Sequence, residues 1–270
     1  MTESDKVFEG SVPQIYDDYL VPLIFEGFAE DLAGRVASLS PTNVLETAAG
    51  SGVVTRALAG KLSDSCGYHV TDLNQAMLDQ AAKKQGLDDR IKWQQADALH
   101  LPFEDDKFDA VCCQFGVMFF PDRVAGFAEA RRVLRPGAKL VFNVWDKIEE
   151  NEFARIITDS AGREFPTDPP QFLARTPHGY HDIDLVREEL GQAGFSKISV
   201  ETRAEVSRAP SPRHPAIAYC QGTPLRNEIE SRSAGSLEGV TERAAQAISA
   251  IHGPEEVSGK IQGHVIVAEA

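Results

Sequence analysis

The stretch Asn43–Thr55, NVLETAAGSGVVT, constrains this chain more than any other. A short apolar run breaks into a turn of small residues and restarts at helical spacing. The pattern then repeats. GYHVTDL reads as a strand, NQAMLDQAAKKQG as a helix with Asn74 as cap and Gly86 as stop, and RIKWQQAD as a further strand. The loop ALHLPFEDDK leads into the strand FDAVCCQF. The helix PDRVAGFAEARRVL opens with Pro121 in its first turn and closes at RPG, and the strand AKLVFNVW completes the series. Strand and helix alternating in steps of this size require parallel crossovers, hence an open sheet with helices on both faces.

After Trp145 the rhythm changes. Residues 147–181 are polar and proline-rich and read as a lid or connector. DIDLVREELGQAG is a helix ending at Gly194, and KISVETRAEVS alternates so that Ile198, Val200, Ala204 and Val206 share one face. Residues 208–263 contain two helical stretches, the second with Leu237, Val240, Ala244, Ile248 and Ile251 in a stripe, before the closing strand HVIVAEA. A single domain over 1–270 is the economical reading, with 40–146 as its core and 11–38, 147–181 and 208–263 as lid or insertion segments.

Charge narrows the partners. The chain has 27 Lys plus Arg against 41 Asp plus Glu, a net charge of −14, and a field of that sign repels nucleic acid. No run approaches the roughly 18 apolar residues of a membrane span. The acidic, polar start MTESDKVFEGS is unlike a secretory leader, so the cytoplasm is the expected location. Cys112 and Cys113 are neighbours on a strand and point to opposite faces, so they read as small buried hydrophobes, as do Cys66 and Cys220. No metal-ligand spacing appears, and no metal is expected.

Two ligand classes compete for the first turn. A dinucleotide loop wants G-x-G-x-x-G, but from Gly50 the chain reads GSGVVT, with Thr55 at the third position. Counted from Ala48 instead, small residues fall at 48, 50 and 52, with Glu46 two residues earlier. In this respect the sequence resembles the class I S-adenosylmethionine-dependent methyltransferases, above all the small-molecule branch that includes the quinone-biosynthesis C-methylating enzymes. The family's D/E-x-G-x-G-x-G motif stands here as Glu46, Ala48, Gly50 and Gly52, with Ala48 departing from the first glycine. Three further segments match in order. HVTDLNQAML ends its strand at Asp72, WQQADALHLPFEDDKFDAV places Asp97 in the following loop, and RRVLRPGAKLVFNVW leads into the fifth strand.

The resemblance, strong over about 40–146, implies a Rossmann-like, open, mostly parallel seven-stranded sheet with helices on both faces and helical lid insertions. It implies S-adenosylmethionine as cofactor and in-line transfer of its methyl group to a small-molecule acceptor, with the nucleophile (O, C or N) left open. Cofactor contacts are then expected from Glu46, Ala48, Gly50, Gly52, Asp72, Leu73, Asp97, Ala98, Phe115 and Tyr16. Gly50 and Gly52 would admit the methionine and ribose portions, Asp72 would accept from both ribose hydroxyls, and Asp97 from the adenine amino group. Leu73, Leu99 and Phe115 would flank the ring. A structural reading stands beside each: Asp72 as helix cap, Asp97 as turn stabiliser, Glu46 as organiser of backbone amides, and Phe115 and Tyr16 as core.

Tyr19, Met118, Phe119 and Gln221 are expected at the acceptor pocket, with packing as the rival at each; Thr223-Pro224 also reads as a helix start. No catalytic base is assigned, since His100, His178, His181, His214 and His252 are each unremarkable alone. Enzymes that methylate amino groups of DNA bases or protein glutamine often carry a D/N/S-P-P-aromatic loop after the fourth strand. Here that place reads CCQFGVMFF, and the later DPP at Asp168–Pro170 runs into Gln171. A small-molecule partner is therefore expected, without nucleic acid or membrane, and a homodimer is left open. An NAD(P)-dependent oxidoreductase and a non-catalytic S-adenosylmethionine-binding sensor are the alternatives.

Overall fold

The computed structural model describes residues 12–232 and 237–270. The acidic N-terminus, and Ser236 at the head of the last expected helix, lie outside the described residues. In chain order come α1 (Val12–Ile15), a π-helix (Tyr16–Phe25), α2 (Glu26–Ser38), β1 (Asn43–Glu46), α3 (Val53–Ala59), β2 (Gly67–Asp72) and α4 (Gln75–Gln85). Next are β3 (Ile91–Gln95), β4 (Phe108–Gln114), a 3-10 turn (Val117–Phe119), α5 (Arg123–Val133) and β5 (Leu134–Trp145). A second 3-10 turn (Ile148–Glu150), α6 (Glu152–Glu164), α7 (Phe172–Arg175), α8 (Ile183–Gln192) and β6 (Ser196–Ala209) follow. The chain closes with α9 (Arg213–Gln221), α10 (Leu225–Arg232), α11 (Leu237–His252) and β7 (Val257–Glu269). These elements fall into two compact units: Glu26–Val144, His181–Arg203 and Gly263–Ala270 in one, Met1–Phe25, Trp145–Tyr180 and Ala204–Gln262 in the other.

The first unit is built on the sheet, whose order is β3-β2-β1-β4-β5-β7-β6. The pairs β1–β2, β1–β4, β2–β3 and β4–β5 are all parallel, as the alternation requires. In β4, Phe108, Ala110, Val111, Cys112 and Cys113 are all buried, the unbroken apolar run of a strand covered on both faces. One side gathers Val44, Tyr68, Val70, Ala110, Cys112 and Val141 against Leu32 and Val36 of α2 and Leu58 of α3. In α5, Phe127 meets Phe142 at 5.3 Å between ring centroids. The four cysteines are buried and free.

Local signals explain most boundaries. Asn74 caps α4 by accepting from the amides of Ala76 and Met77, and Gly86 stops it at φ 75°. The start of α5 differs from expectation: Asp122 is the cap, accepting from the Ala125 amide, and Pro121 precedes the helix. RPG also falls inside β5 rather than before it. Between the pairs Phe108↔Leu134 and Ala110↔Lys139, two steps along β4 face five along β5, so the proline and glycine sit in a bulge. On β6, Ile198 and Val200 are half-covered, but beyond them the covered positions become Ser207 and Ala209 while Val206 is 54% exposed. The expected single face thus changes parity, as a one-residue slip dictates.

The second unit is mainly helical. Its π-helix contains Pro22, which has no N–H to close an ordinary α-turn. The segment 147–181, expected as a connector, contains the helix α6, with Phe153, Ile156, Ile157, Ser160 and Ala161 on a buried stripe. Among the described residues, the region 208–263 has three helices, not two. In α11, Val240, Thr241, Ala244, Ala245 and Ile248 are buried, whereas Ile251 is 61% exposed and leaves the expected stripe. Buried Asn151 donates to the carbonyls of Asp146, Lys147 and Gln262 and accepts from the Gln262 amide at 3.0 Å. β7 begins at Val257, earlier than the strand read from HVIVAEA.

Two contacts fix the ends of β1, β2 and β4 in the sheet unit. Glu46 is 2% exposed, and its Oε2 accepts from the Tyr68 hydroxyl and from Thr55 Oγ1, joining β1 to β2 and α3. Thr71 Oγ1 donates to its carbonyl at 2.9 Å. Burial pushes the Glu46 carboxyl up to about 7, against the downward pull of the two hydroxyls and Arg56. Nearby, β4 ends so close to the first turn that a Cβ on Gly116 would lie 2.6 Å from the Ala48 Cβ and 2.7 Å from Cys113 Sγ.

Gly116→Ala is therefore expected to cost about 1–3 kcal/mol in urea denaturation, the penalty of overpacking. Glu46 gives a second expectation. Its folded carboxyl binds a proton more tightly than the unfolded one, so its contribution to stability falls as pH rises from 4.5 to about 7. Glu46→Gln keeps the shape and lacks that titration. Its stability relative to wild type should rise by as much as about 3 kcal/mol between pH 4.5 and pH 8, in denaturation curves at each pH. A pH-independent difference would contradict the assignment.

Candidate functional site

The crossovers to one side of β1 run through β2 and β3, and those to the other side through β4 and β5, so the order reverses between β1 and β4. Open α/β sheets hold ligands at such a reversal, outside the carboxyl ends of the strands. The turn after β1 is pinned there by Thr47 N–H to the Cys112 carbonyl at 2.9 Å and Ala49 N–H to the Thr71 carbonyl at 3.0 Å. Alternate residues are left-handed: Ala48 at φ 51°, Gly50 at 57° and Gly52 at 79°. The methyl group of Ala48 therefore stands where glycine is favoured, a cost of about 1–2 kcal/mol.

The two glycines serve different ends. A Cβ on Gly52 would meet the Ala81 Cβ at 2.9 Å, so this glycine lets α3 approach α4. At Gly50 the nearest side-chain atom is Met77 Cε at 3.8 Å, and the demand there is its backbone angle.

Asp72 closes the end of β2. Its Oδ2 accepts from the Gly50 amide and its Oδ1 from the Asn74 amide, both at 2.8 Å. Asn74, not Asp72, caps α4, so the capping alternative for Asp72 falls away. Each carboxylate oxygen takes one backbone N–H and keeps further acceptor capacity, an arrangement that fits a vicinal diol. Burial raises the Asp72 carboxyl, while the amides of Asn74, Gly50 and Leu73 draw it back.

The loop after β3 is more open. Asp97 is exposed, and its Oδ1 accepts from the Leu99 amide at 2.9 Å, so its turn role is realised in this structure. Ala98 and Leu99 are partly buried, and Leu73 is 53% exposed beside Asp72. Phe115 is different: its ring is buried and meets Phe28 edge-on at 5.2 Å, which makes it core. Its backbone is left-handed at φ 48°, and its N–H donates to Asn143 Oδ1 at 2.9 Å. Met118 is buried in the 3-10 turn, with Phe119 half-buried after it.

Tyr16, Tyr19 and Gln221 belong to the helical unit. There Tyr16 lies 5.3 Å from the Phe25 ring and Tyr19 4.8 Å from His214. Gln221 donates to Thr241 Oγ1 at 3.1 Å, and Thr223 Oγ1 accepts from the Leu225 amide at 3.2 Å, as the helix-start reading requires. His178 in the same unit sets Nδ1 against the Asp146 carbonyl at 2.8 Å. His100, in the sheet unit, is 85% exposed, with Nδ1 3.7 Å from Asp97. No cluster of His, Cys, Asp and Glu suited to a metal occurs among the described residues.

Sequence reasoning missed the partners of Glu46. It anticipated backbone amides; the partners are the hydroxyls of Tyr68 and Thr55. Thr55 had registered only as a missing third glycine. A hydroxyl one helical turn into α3, and a tyrosine on the strand beside β1, were the available signs. Asn143, which holds the chain reversal at Phe115, left none.

Comparison with known proteins agrees with this geometry. The family profile for a methyltransferase domain matches residues 45–142. A demethylmenaquinone methyltransferase of Clavibacter sepedonicus is 38% identical over 180 residues, spanning 60% of this chain and 69% of that protein. One from Lactobacillus johnsonii is 31% identical over 168 residues, 58% of this chain and 68% of that protein. Among solved structures, a phosphoethanolamine N-methyltransferase of Haemonchus contortus shares the fold with a TM-score of 0.59 and 17% identity, covering 96% of this chain and 56% of that one. The chain belongs to the class I S-adenosylmethionine-dependent methyltransferase family.

Proposed function

We propose that this methyltransferase transfers the methyl group of S-adenosylmethionine to a small, partly apolar aromatic acceptor of quinol type, acting as one domain with residues 40–146 as its cofactor core. The observation that carries the cofactor site is Asp72: a carboxylate held by two backbone amides at the strand end, beside a turn pinned to both neighbouring strands. Asp72 would hold the ribose hydroxyls, the Ala48–Gly52 turn the methionine portion, and Leu73, Asp97, Ala98 and Leu99 the adenine side. The buried ring of Phe115 leaves its backbone, not its face, to that side. Tyr16, Tyr19 and Gln221 stay in the proposal on the family resemblance alone, and Met118 and Phe119 as the acceptor side of β4.

Bound S-adenosylmethionine would supply an activated methyl group on a cationic sulfur. The chain's own task is to align the acceptor with that group and to exclude water, which accounts for much of the acceleration in such displacements. A base is needed only where the nucleophile must lose a proton, and no histidine of the sheet unit is buried beside the turn. The quinol assignment rests on the relatives, among them three demethylmenaquinone methyltransferases more than 30% identical over the matched stretch. The net charge of −14 supports a partner other than nucleic acid. No described helix is long and apolar enough to cross a membrane. We place the protein in the cytoplasm and leave a homodimer to measurement.

Two experiments test the proposal. S-adenosylhomocysteine at about 100 times its Kd should raise Tm by about 5 °C, while NADH should leave it unchanged. Asp72→Ala should weaken S-adenosylhomocysteine by roughly 30- to 100-fold, the loss of hydrogen bonds to an ionised group. A response to NADH alone would point to an oxidoreductase. With labelled S-adenosylmethionine and reduced demethylmenaquinone, label should appear in the quinone fraction; binding of the donor with no transfer to this or any metabolite extract would favour a sensor.

A further inference from the structure

A cavity of about 400 Å³ opens on the sheet unit at the start of β5. The β5 bulge sets its position. Pro136 lies in the stretch where five steps of β5 face two of β4, so the strand departs from its neighbour there. The loop before β4, the C-terminal half of α5 and the end of α8 close the sides. Where Ala128, Ala193 and Ala270 face it, the lining side chain is a single methyl group, which leaves the space open. Its volume lies in the range of small-molecule sites. Phe108 to Gln114, about 20 Å of extended β4, separate this end of the sheet from the turn at Phe115. The cavity is therefore not part of the crevice at the strand ends.

Four charged side chains line it, and two of them are already committed. Arg132 donates from Nε and Nη2 to Glu129 and from Nη1 to Asp105 at 2.7 Å. Its other bonds go to the carbonyls of Leu101 and Phe103. Arg131 and Asp106 differ. Arg131 Nε donates to the Gly194 carbonyl at 2.8 Å, and neither of its Nη nitrogens has a partner among the described residues. Gly194 permits that approach, since a Cβ there would lie 3.0 Å from Nε. Asp106 is held by its backbone alone: its N–H donates to the Arg132 carbonyl at 3.0 Å, and its carbonyl accepts from Arg135 Nε at 3.3 Å. Its carboxylate has no partner among the described residues, Arg131 included.

One cavity thus presents a guanidinium edge and a carboxylate that do not pair with each other. A ligand of single charge would be attracted by one and repelled by the other. A ligand carrying both charges meets both, with its carboxylate on the planar fork of Arg131 and its ammonium on Asp106. We infer that this cavity is a binding site for a small zwitterion of the amino-acid class, separate from the site of methyl transfer. The bond to Gly194 already holds Arg131 in place, so less side-chain freedom is lost on binding. The inference does not depend on the proposed cofactor site, and its failure would leave that site untouched.

Saturation-transfer NMR at millimolar ligand tests this on wild type, Arg131→Gln and Asp106→Asn. The probes are L-leucine and 6-aminohexanoate, two zwitterions that differ in the spacing of their charges. The controls are 4-methylpentanoate and 3-methylbutylamine, which keep the side chain of leucine and one charge each. In wild type at least one zwitterion should bind more tightly than both controls. Each substitution should weaken that zwitterion by about fivefold, the upper range for an exposed ion pair. Arg131→Gln should remove the advantage over the amine, and Asp106→Asn the advantage over the carboxylate. Both residues are exposed, and asparagine tolerates the left-handed backbone of Asp106 at φ 54°, so urea denaturation should show both variants folded. Neither zwitterion binding wild type, neither binding more tightly than the controls, or a Kd unchanged by either substitution would each overturn the inference.

Discussion

The carboxylate of Asp72 is the constraint on which the site depends. It stands at the end of β2 and takes the Gly50 amide on one oxygen and the Asn74 amide on the other. Those two bonds link the turn after β1 to the start of α4. Without them the turn would lose its tie to the second strand, and two amides at the sheet's reversal point would need other acceptors. Burial works against the charge, and the amides work for it. The outcome is a fixed acceptor pair at the mouth of the crevice, prepared before any ligand arrives.

Glu46 supports that arrangement from below the surface. Its bonds to Tyr68 and Thr55 hold β1, β2 and α3 together where the turn leaves the sheet. The two acids differ in what surrounds them. Asp72 is met by backbone amides and stays partly open, whereas Glu46 is met by hydroxyls and is closed off. Similar groups a few residues from one turn are thereby given separate surroundings, one open at the strand end and one closed beneath it. The left-handed Ala48 fits the same picture. Its methyl group is accommodated because Gly116 presents no side chain to it.

Much of this was legible in the chain. The parallel pairing of β1 to β5 follows from the alternation of Asn43–Trp145, and the cap and stop of α4 follow from Asn74 and Gly86. The family resemblance placed Glu46 and Asp72 at strand ends and Asp97 in the loop after the third strand, where the structure has them. What escaped had physical causes. The stripe of α6 was masked by the prolines and charges on either side of it, although Phe153, Ile156, Ile157 and Ser160 carry a helical period. The bulge in β5 and the parity change in β6 are register effects, which depend on the neighbouring strand and leave no mark in local composition. The partners of Glu46 were missed because hydroxyls on two other elements reach it only once the sheet has formed. At Phe115 the packing alternative is the one visible, since its ring is buried against Phe28.

The central claim is that the crevice at the end of β2 holds a nucleoside by its sugar. A crystal structure of the protein grown with saturating S-adenosylhomocysteine measures this directly. The account requires both ribose hydroxyls within hydrogen-bond distance of the Asp72 carboxylate, with the Gly50 and Asn74 amides still in place. A ligand seated elsewhere, with that carboxylate turned to bulk water, would contradict it.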